Sequence, residues 1–485
     1  MTTRSGNASW VESMASWALQ AARGPVPDDV LHAAARATLD SVACAAGAVG
    51  EKSARAVREV SAALGGNNEA SLLFTGERSS MANAVLYNAT LVRALDCNDI
   101  FFTTSPRGHP SDNLAVALAA AERQHSTGHQ YLTALAVGYE LDWRLQEYLR
   151  SGVAGSASWD YVSMGGLVGA AMSALLLGLR PAEFAHALAI GGAQTYTVGQ
   201  VRAGEISMLK ASAGAIVSRT AVLAPLLAQA GMTGPGELLE GEDGVVRALG
   251  LDPTPELRDL LLRPVEHWHI RDVTIKPYPA IGTSQAVIAA TLKLVDEYHP
   301  KPADVARLEV HLPDVPIVCR HIADRARNRP ATRESADHSI PFLVAVSLQD
   351  GDVGPGQFAG ERWLEPDTVA LMDRVTQIAD RTLVPDGRHG YPATVILETR
   401  GGARYTSEVP AAPGSPACPL SDDDLTAKLR RLGGAWLPVV RADEMAAELL
   451  AIEDAADVAV AAATVLPAKP TKQLCPHTRR ARLDA

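Results

Sequence analysis

Between Leu95 and Asn113 the chain carries Asp96, Asp99, Arg107, His109 and Asp112, an island of ionisable groups with apolar helical sequence on either side. An imidazole among carboxylates is held in one tautomer and made more basic, which suits proton transfer near neutral pH. The same residues also suit a solvated loop that caps the helix beginning near Leu114, and on residue types alone both readings stand. Lys210 is a second candidate. It falls in apolar, small-residue sequence, where an unpaired ammonium would be costly. His267 and His269 form an HxH pair without the further nearby ligands that a metal site needs, and read as partly exposed residues at a domain junction. There is no phosphate loop and no GxGxxG after a strand, so neither a metal nor any other cofactor is expected.

The elements that must position these groups fall into three stretches. From about Pro27 to Pro253, Ala, Leu and Val recur with a helical period, as in Val30 to Ala46, Leu114 to Gln124 and Gly165 to Leu179. The small residues Gly165, Gly166, Gly169, Ala170 and Ala171 predict helices packed closely together. β-Branched, alternating segments become frequent after about residue 270, with strands expected at Arg307 to Leu312 and Thr394 to Thr399. Helical sequence returns at Ser421 to Leu429, opened by the capping signal Ser421-Asp422-Asp423-Asp424, and again at Asp443 to Ile452. The expected class is therefore mainly α: a helical part over 1–270, an α+β part over 271–418, and a helical tail over 419–485 that packs back onto the first part. The candidate linkers are Arg263 to Asp272 and Pro410 to Pro419.

Composition narrows the function classes. With 485 residues, 47% of them hydrophobic, the chain is long enough for more than one core. Its net charge of −11 argues against nucleic acid and anionic membranes as partners, and an anionic substrate would need a local cationic pocket. The N-terminal residues lack a signal-peptide core, and a cytoplasmic location is expected. Five cysteines far apart, without a CxxC pair, read as reduced thiols.

Four motifs, in one order along the chain, carry a resemblance. They are Leu95-Asp96-Cys97-Asn98-Asp99 with Gly108-His109-Pro110-Ser111-Asp112-Asn113; Gly204 to Lys210 with Gly231 to Pro235; Ile275 to Pro279 with Ser284-Gln285-Ala286-Val287; and Asp337-His338-Ser339-Ile340-Pro341. Together they resemble the MmgE/PrpD family, of the 2-methylcitrate dehydratase type. The resemblance implies a large helical domain, a smaller α+β lid, an active site between them, no cofactor, and a homodimer acting on a small carboxylic acid. Carried over to matching positions, it makes His109, Asp96, Tyr161 and Lys210 catalytic, and assigns substrate binding to Lys276, Arg107, Asp99, Gln285 and His338.

Three positions depart from the family pattern. Cys97 stands where Phe is usual, Ile100 where Thr is common, and Tyr161 where a His is expected. A phenol, with a reference pKa of about 10, can donate a proton but is a poor base at neutral pH. Trp159 reads as a packing residue. The function these residues imply is dehydration of 2-methylcitrate or a similar hydroxylated polycarboxylate by general acid/base catalysis. Decarboxylation, or epimerisation or isomerisation, of a related acid is the alternative within the family, and a catalytically silent scaffold is the alternative outside it.

Overall fold

The computed structural model describes residues 8–102, 108–150, 159–385 and 390–465. Mainly α-helical structure fills the first half. The long apolar helix Leu209–Gln229 sits at its centre, packed against Met81–Ala94, Gly165–Leu176 and Pro181–Ala193. By length and composition this helix could cross a membrane, but two-thirds of its most apolar window is buried inside the protein. Small residues make the close packing possible. A Cβ added at Gly166 would lie 2.1 Å from Thr195 Oγ1 and 2.5 Å from the carbonyl oxygen of Gly191, and one at Gly169 would lie 2.7 Å from the Ala221 Cβ. The expected helices are found at Asp28–Ala48, Leu114–Gln124 and Gly165–Leu176.

The buried apolar side chains gather into two large clusters. One draws on residues from Trp10 to Ile275 and again from Leu425 to Ala462. The other comprises Ile100, Phe102 and residues from Ala280 to Leu397. It surrounds a four-stranded sheet whose order is Val375–Asp380, Val305–Pro313, Ala393–Thr399, Arg404–Val409, the first pair parallel and the others antiparallel. Val305, Leu308, Val310 and Leu312 of the second strand are buried, with a register shift between Val305 and Arg307. Gln285–Tyr298 packs on this sheet and against Ile340–Asp350.

Two features bring the segments of the site together. Ile100–Phe101 pairs antiparallel with Val273–Thr274, which sets the loop after Asp96 beside Lys276. The tail helix Asp422–Gly433 starts at a capping box formed by Ser421 and Asp424 and lies against Asp28–Ala48. Just before it, the expected linker at 410–419 is irregular but firmly attached. The Ile275 amide donates to the Gly414 carbonyl oxygen at 3.0 Å. Gly414 has φ +84°, and an added Cβ would lie 1.8 Å from the Ile275 oxygen, so only glycine fits this crossing.

Candidate active site

The Met81–Ala94 helix, capped by Ser80, ends at Leu95, and Asp96 then turns into the left-handed region at φ +52°. Aspartate is among the few residues that adopt this conformation readily. The turn sets the Asp96 carboxylate among three buried cations. Oδ1 lies 2.8 Å from Arg93 Nη1 and 2.5 Å from Lys276 Nζ, and Oδ2 lies 2.9 Å from Lys210 Nζ. Burial opposes ionisation of Asp96, but Arg93, Lys210 and Lys276 outweigh it and hold the carboxyl well below its ordinary range.

Lys210 extends the network. Its ammonium also bonds both oxygens of Asp337, at 2.9 and 3.1 Å. Asp337 in turn takes Arg333 Nη1 at 2.8 Å and contacts His338 Nδ1. Despite burial, Lys210, His338 and Arg333 bring the Asp337 carboxyl down to about 2. Asp96, Asp337 and His338 present ligand atoms within 4.8 Å of one another, the spacing of a metal site. Lys210 Nζ lies 2.9 Å from a carboxylate oxygen of each aspartate, so an ammonium already fills the cationic position between them.

His109 sits on the other side of Arg93. Its Nδ1 faces the carbonyl oxygen of Asp99, which can only accept, so Nδ1 carries the proton. Nε2 is then the acceptor for Arg93 Nη2 at 3.3 Å. Burial, with Arg93 and Lys276 adding to it, keeps the imidazole neutral and its pKa well below the usual value. Tyr161 packs on His109 with ring centroids 5.4 Å apart. Its hydroxyl donates to Asp112 Oδ2 at 2.9 Å and accepts from Arg202 Nη2 at 3.1 Å and Arg93 Nε at 3.3 Å. Burial raises the phenol pKa despite the two guanidiniums, so Tyr161 stays protonated. Gly108, at φ +115°, gives the tyrosine ring its space: a Cβ there would lie 2.8 Å from Tyr161 Cδ2.

These groups line a cavity of about 440 Å³. Asp96, His109, Tyr161 and His338 are in its wall, as are Arg93, Arg202, Arg320, Arg327 and His321. Among the described residues, the four arginines face three aspartates, Asp96, Asp160 and Asp324, and Ile100, Ile281 and Ile317 supply an apolar surface. A protein of net charge −11 thus holds a cavity suited to an anion. Four other expected site residues stand behind the wall. Lys276 is fully buried, its ammonium spent on the Asp96 carboxylate and carbonyl and on the Ala280 carbonyl. Gln285 bonds the backbone of Tyr278 and Ala280. Asp99 accepts from the Ser111 amide and hydroxyl and from the Tyr139 hydroxyl, and burial pushes it up to about 7. Lys210 reaches the cavity only through the carboxylates it bridges. Arg107 lies outside the described residues. His267 pairs with Asp272, while His269 stacks on Trp143 and bonds Glu140, both away from the cavity.

Arg93, Arg202, Arg320, Arg327 and His321 were missed by sequence reasoning. Arg93 had one signal, a lone charge in the last turn of an apolar helix, and Arg320, His321 and Arg327 had another, the arginine-rich run over 320–333. Lys428, in the tail helix, was missed too. Its buried ammonium contacts Asp40 and donates to the carbonyl oxygens of Cys97 and Lys276, both at 2.7 Å. It therefore ties together the two loops that carry Asp96 and Lys276. Beneath it Cys44 and Cys97 are buried free thiols, hydrogen-bonded to each other.

The chain matches the MmgE/PrpD N-terminal domain over residues 12–258 and the MmgE/PrpD C-terminal domain over residues 278–453. It belongs to the MmgE/PrpD family. Among named relatives it is 25% identical to the cis-aconitate decarboxylase-like protein oryM of Aspergillus oryzae over 471 residues, covering 92% of this chain and 95% of the relative. It is 24% identical to the cis-aconitate decarboxylase of Mus musculus over 391 residues, covering 78% and 77% of the two chains. It is 26% identical to the 2-methylcitrate dehydratase of Cupriavidus necator over 314 residues, covering 61% and 62%.

Two outcomes follow from this geometry. Replacing Lys428 with Met strands the Asp40 carboxylate in the interior, and the expected loss is about 3–5 kcal/mol of unfolding free energy. Adding Asp40→Asn should restore part of it, as read from urea unfolding midpoints of the single and double variants. The second concerns pH. His109, His321 (about 2) and His338 (about 3) are neutral when folded because burial depresses all three. In the unfolded chain they protonate below about 6.5. Their contribution to stability is therefore whole above that pH and falls steadily from about 6.5 down to the folded-state values of about 3 and 2, the first part of the fall lying between about 6.5 and 5. Unfolding midpoints that stay constant across this window would contradict the neutral imidazoles.

Proposed function

We propose that this protein is a lyase that decarboxylates a small unsaturated polycarboxylate. The observation that carries this reading is an arginine-lined cavity holding three imidazoles whose pKa values burial depresses, beside a tyrosine whose hydroxyl donates to Asp112. Dehydration needs an acid ready to protonate a departing hydroxyl, and Tyr161, with its raised pKa, is a weak one. Decarboxylation makes a different demand: a cationic environment for the charge left on the substrate and a proton afterwards.

In the proposed step the bond between one carboxylate carbon and its neighbour breaks and CO2 leaves. The electron pair stays on the neighbouring carbon and spreads through the double bond toward a remaining carboxylate held by arginine. Ile100, Ile281 and Ile317 favour loss of charge from the departing group, because an apolar surface solvates carboxylate poorly. Binding an anion beside His109 offsets the field of Arg93 and raises the imidazole pKa. His109 then takes a proton from solvent at Nε2 and delivers it to carbon. Asp96, held by Lys210 and Lys276, fixes Arg93 against His109. The region 271–418 acts in this proposal as a lid contributing Ile281, Ile317, Arg320, His321, Arg327 and His338.

Similarity to the decarboxylase-like relative along nearly the whole of both chains supports this reading. Dehydration of 2-methylcitrate is the second reading, favoured by the similarity to the dehydratases. Purified protein given cis-aconitate should release CO2. Loss of water from 2-methylcitrate without CO2 release from any unsaturated acid would transfer the assignment to the second reading, and no turnover of either would leave an epimerase or isomerase of a related acid, or a silent scaffold. His109→Gln should lower kcat by roughly 10²–10⁴-fold with little change in KM. A near-normal rate would remove His109 from the mechanism.

We also propose a homodimer that covers the outer stripe of the Leu209–Gln229 helix, where Leu209, Ile216, Leu223 and Leu227 are each at least 37% exposed. Sedimentation equilibrium showing only monomer would exclude it.

A further inference from the structure

The short helices Pro316–Ala323 and Arg325–Asn328 come from a part of the chain remote from His109 and Asp96, yet they place Ile317, Arg320, His321, Asp324 and Arg327 in the same cavity wall. The arginines here are under-compensated. Arg327 is 8% exposed, and among the described residues its one carboxylate partner is Asp324, at 3.3 Å from Nε. Its Nη1 is buried with no acceptor among the described residues, an arrangement that costs stability unless a ligand supplies one. Asp324 is itself shared, because its Oδ1 accepts from the Ala326 amide at 2.9 Å. Arg320 has no carboxylate within ion-pairing distance among the described residues, and its fork is left open.

The contrast with the rest of the cavity is informative. Arg93 is bound by Asp96 and Arg202 by Asp160, at 2.8 and 2.7 Å. Those guanidiniums belong to the group that holds His109 and Tyr161. In the part of the cavity wall drawn from 316–328, Arg320 and Arg327 stand with one carboxylate, Asp324, which pairs with Arg327, and burial holds the His321 imidazole well below its ordinary pKa. This wall therefore has one positive charge to spare, which matches a single carboxylate. A guanidinium fork also fits the two oxygens of a carboxylate in its plane.

We infer that Arg320 and Arg327 form an anchoring subsite for a carboxylate of the substrate other than the one lost. The inference rests on the proposed reading that the substrate is a small polycarboxylate, and it narrows that class: an acid with one carboxylate lacks the group this wall binds. Arg320 and Arg327 thus select and orient the acid, while proton transfer belongs to His109.

The test uses tricarballylate (propane-1,2,3-tricarboxylate), which has neither the double bond nor the hydroxyl needed for reaction, with butyrate as the single-carboxylate comparison. Binding of each is measured by calorimetry on the whole protein. The wild type should bind tricarballylate at least tenfold more tightly than butyrate. Arg320→Gln, an exposed position whose exchange leaves the core untouched, should lose at least tenfold in tricarballylate affinity and none for butyrate. Arg327→Gln should do the same, with its fold checked by circular dichroism. Arg325→Gln, on the same segment but outside the cavity wall, should bind tricarballylate as the wild type does. Equal tricarballylate affinity in wild type and Arg320→Gln would overturn the subsite, as would an equal loss in Arg325→Gln. The two proposals fail separately. Protein that releases CO2 from its acid but binds tricarballylate no better than butyrate keeps the lyase reading and loses the subsite. Protein that binds tricarballylate through Arg320 but turns over no acid keeps the subsite and loses the lyase reading.

Discussion

The site depends on one buried carboxylate. Asp96 holds Arg93, Lys210 and Lys276 together, although the three come from a helix end, the start of a second helix and the segment after residue 273. A buried ion is expensive unless its partners are close and numerous, and removing one partner of such a pair costs more than the pair contributed. From Asp96 the signs alternate outward through Lys210 and Asp337 to Arg333. Each charge is stabilised by the next. Two imidazoles hang on the ends of this network, His109 on Arg93 and His338 on Asp337. Their orientation is a consequence of the ion pairs, whereas burial is the main reason that their pKa values are depressed.

Much of this was legible in the sequence, for reasons that differ between residues. Helical and strand periods are local, so the segments at Leu114–Gln124 and Val305–Pro313 were visible without knowledge of their neighbours. Lys210 was visible because an ammonium in apolar sequence demands a partner, and two were found. The island around His109 left a capping loop and a proton-transfer site as competing readings. The structure overturns the solvated capping loop: Asp96, Asp99, His109 and Asp112 are buried and none caps the helix at Leu114, Asp99 and Ser111 lock the turn, and His109 faces the cavity.

The arginines were hidden for a physical reason. Arginine is found mostly at surfaces, and nothing local distinguishes Arg202, whose guanidinium covers a tyrosine ring, from Arg381, whose side chain is 90% exposed. Lys276 and Gln285 show the converse. Besides the Asp96 carboxylate, their partners are backbone groups brought close by tertiary packing, and a backbone group leaves no mark in a sequence. The balance of charge that defines the cavity is a property of the fold, opposite in sign to that of the chain as a whole.

Lys428 gives the molecule a particular order of assembly. Its ammonium joins Asp40, near the beginning of the chain, to the loops at Cys97 and Lys276 from a position near the end. During synthesis, the groups that surround Asp96 are all made well before the helix that braces them. A ribosome-bound chain that has not yet reached residue 428 carries the groups around Asp96 without their brace, and the Asp40 carboxylate waits without its cation. Contacts this distant in sequence are slow to form, because the intervening loops must close first. The cavity beside His109 is in this way complete only once residue 428 has been made, and the helix Asp422–Gly433 is part of its construction although, among the described residues, it contributes nothing to the lining.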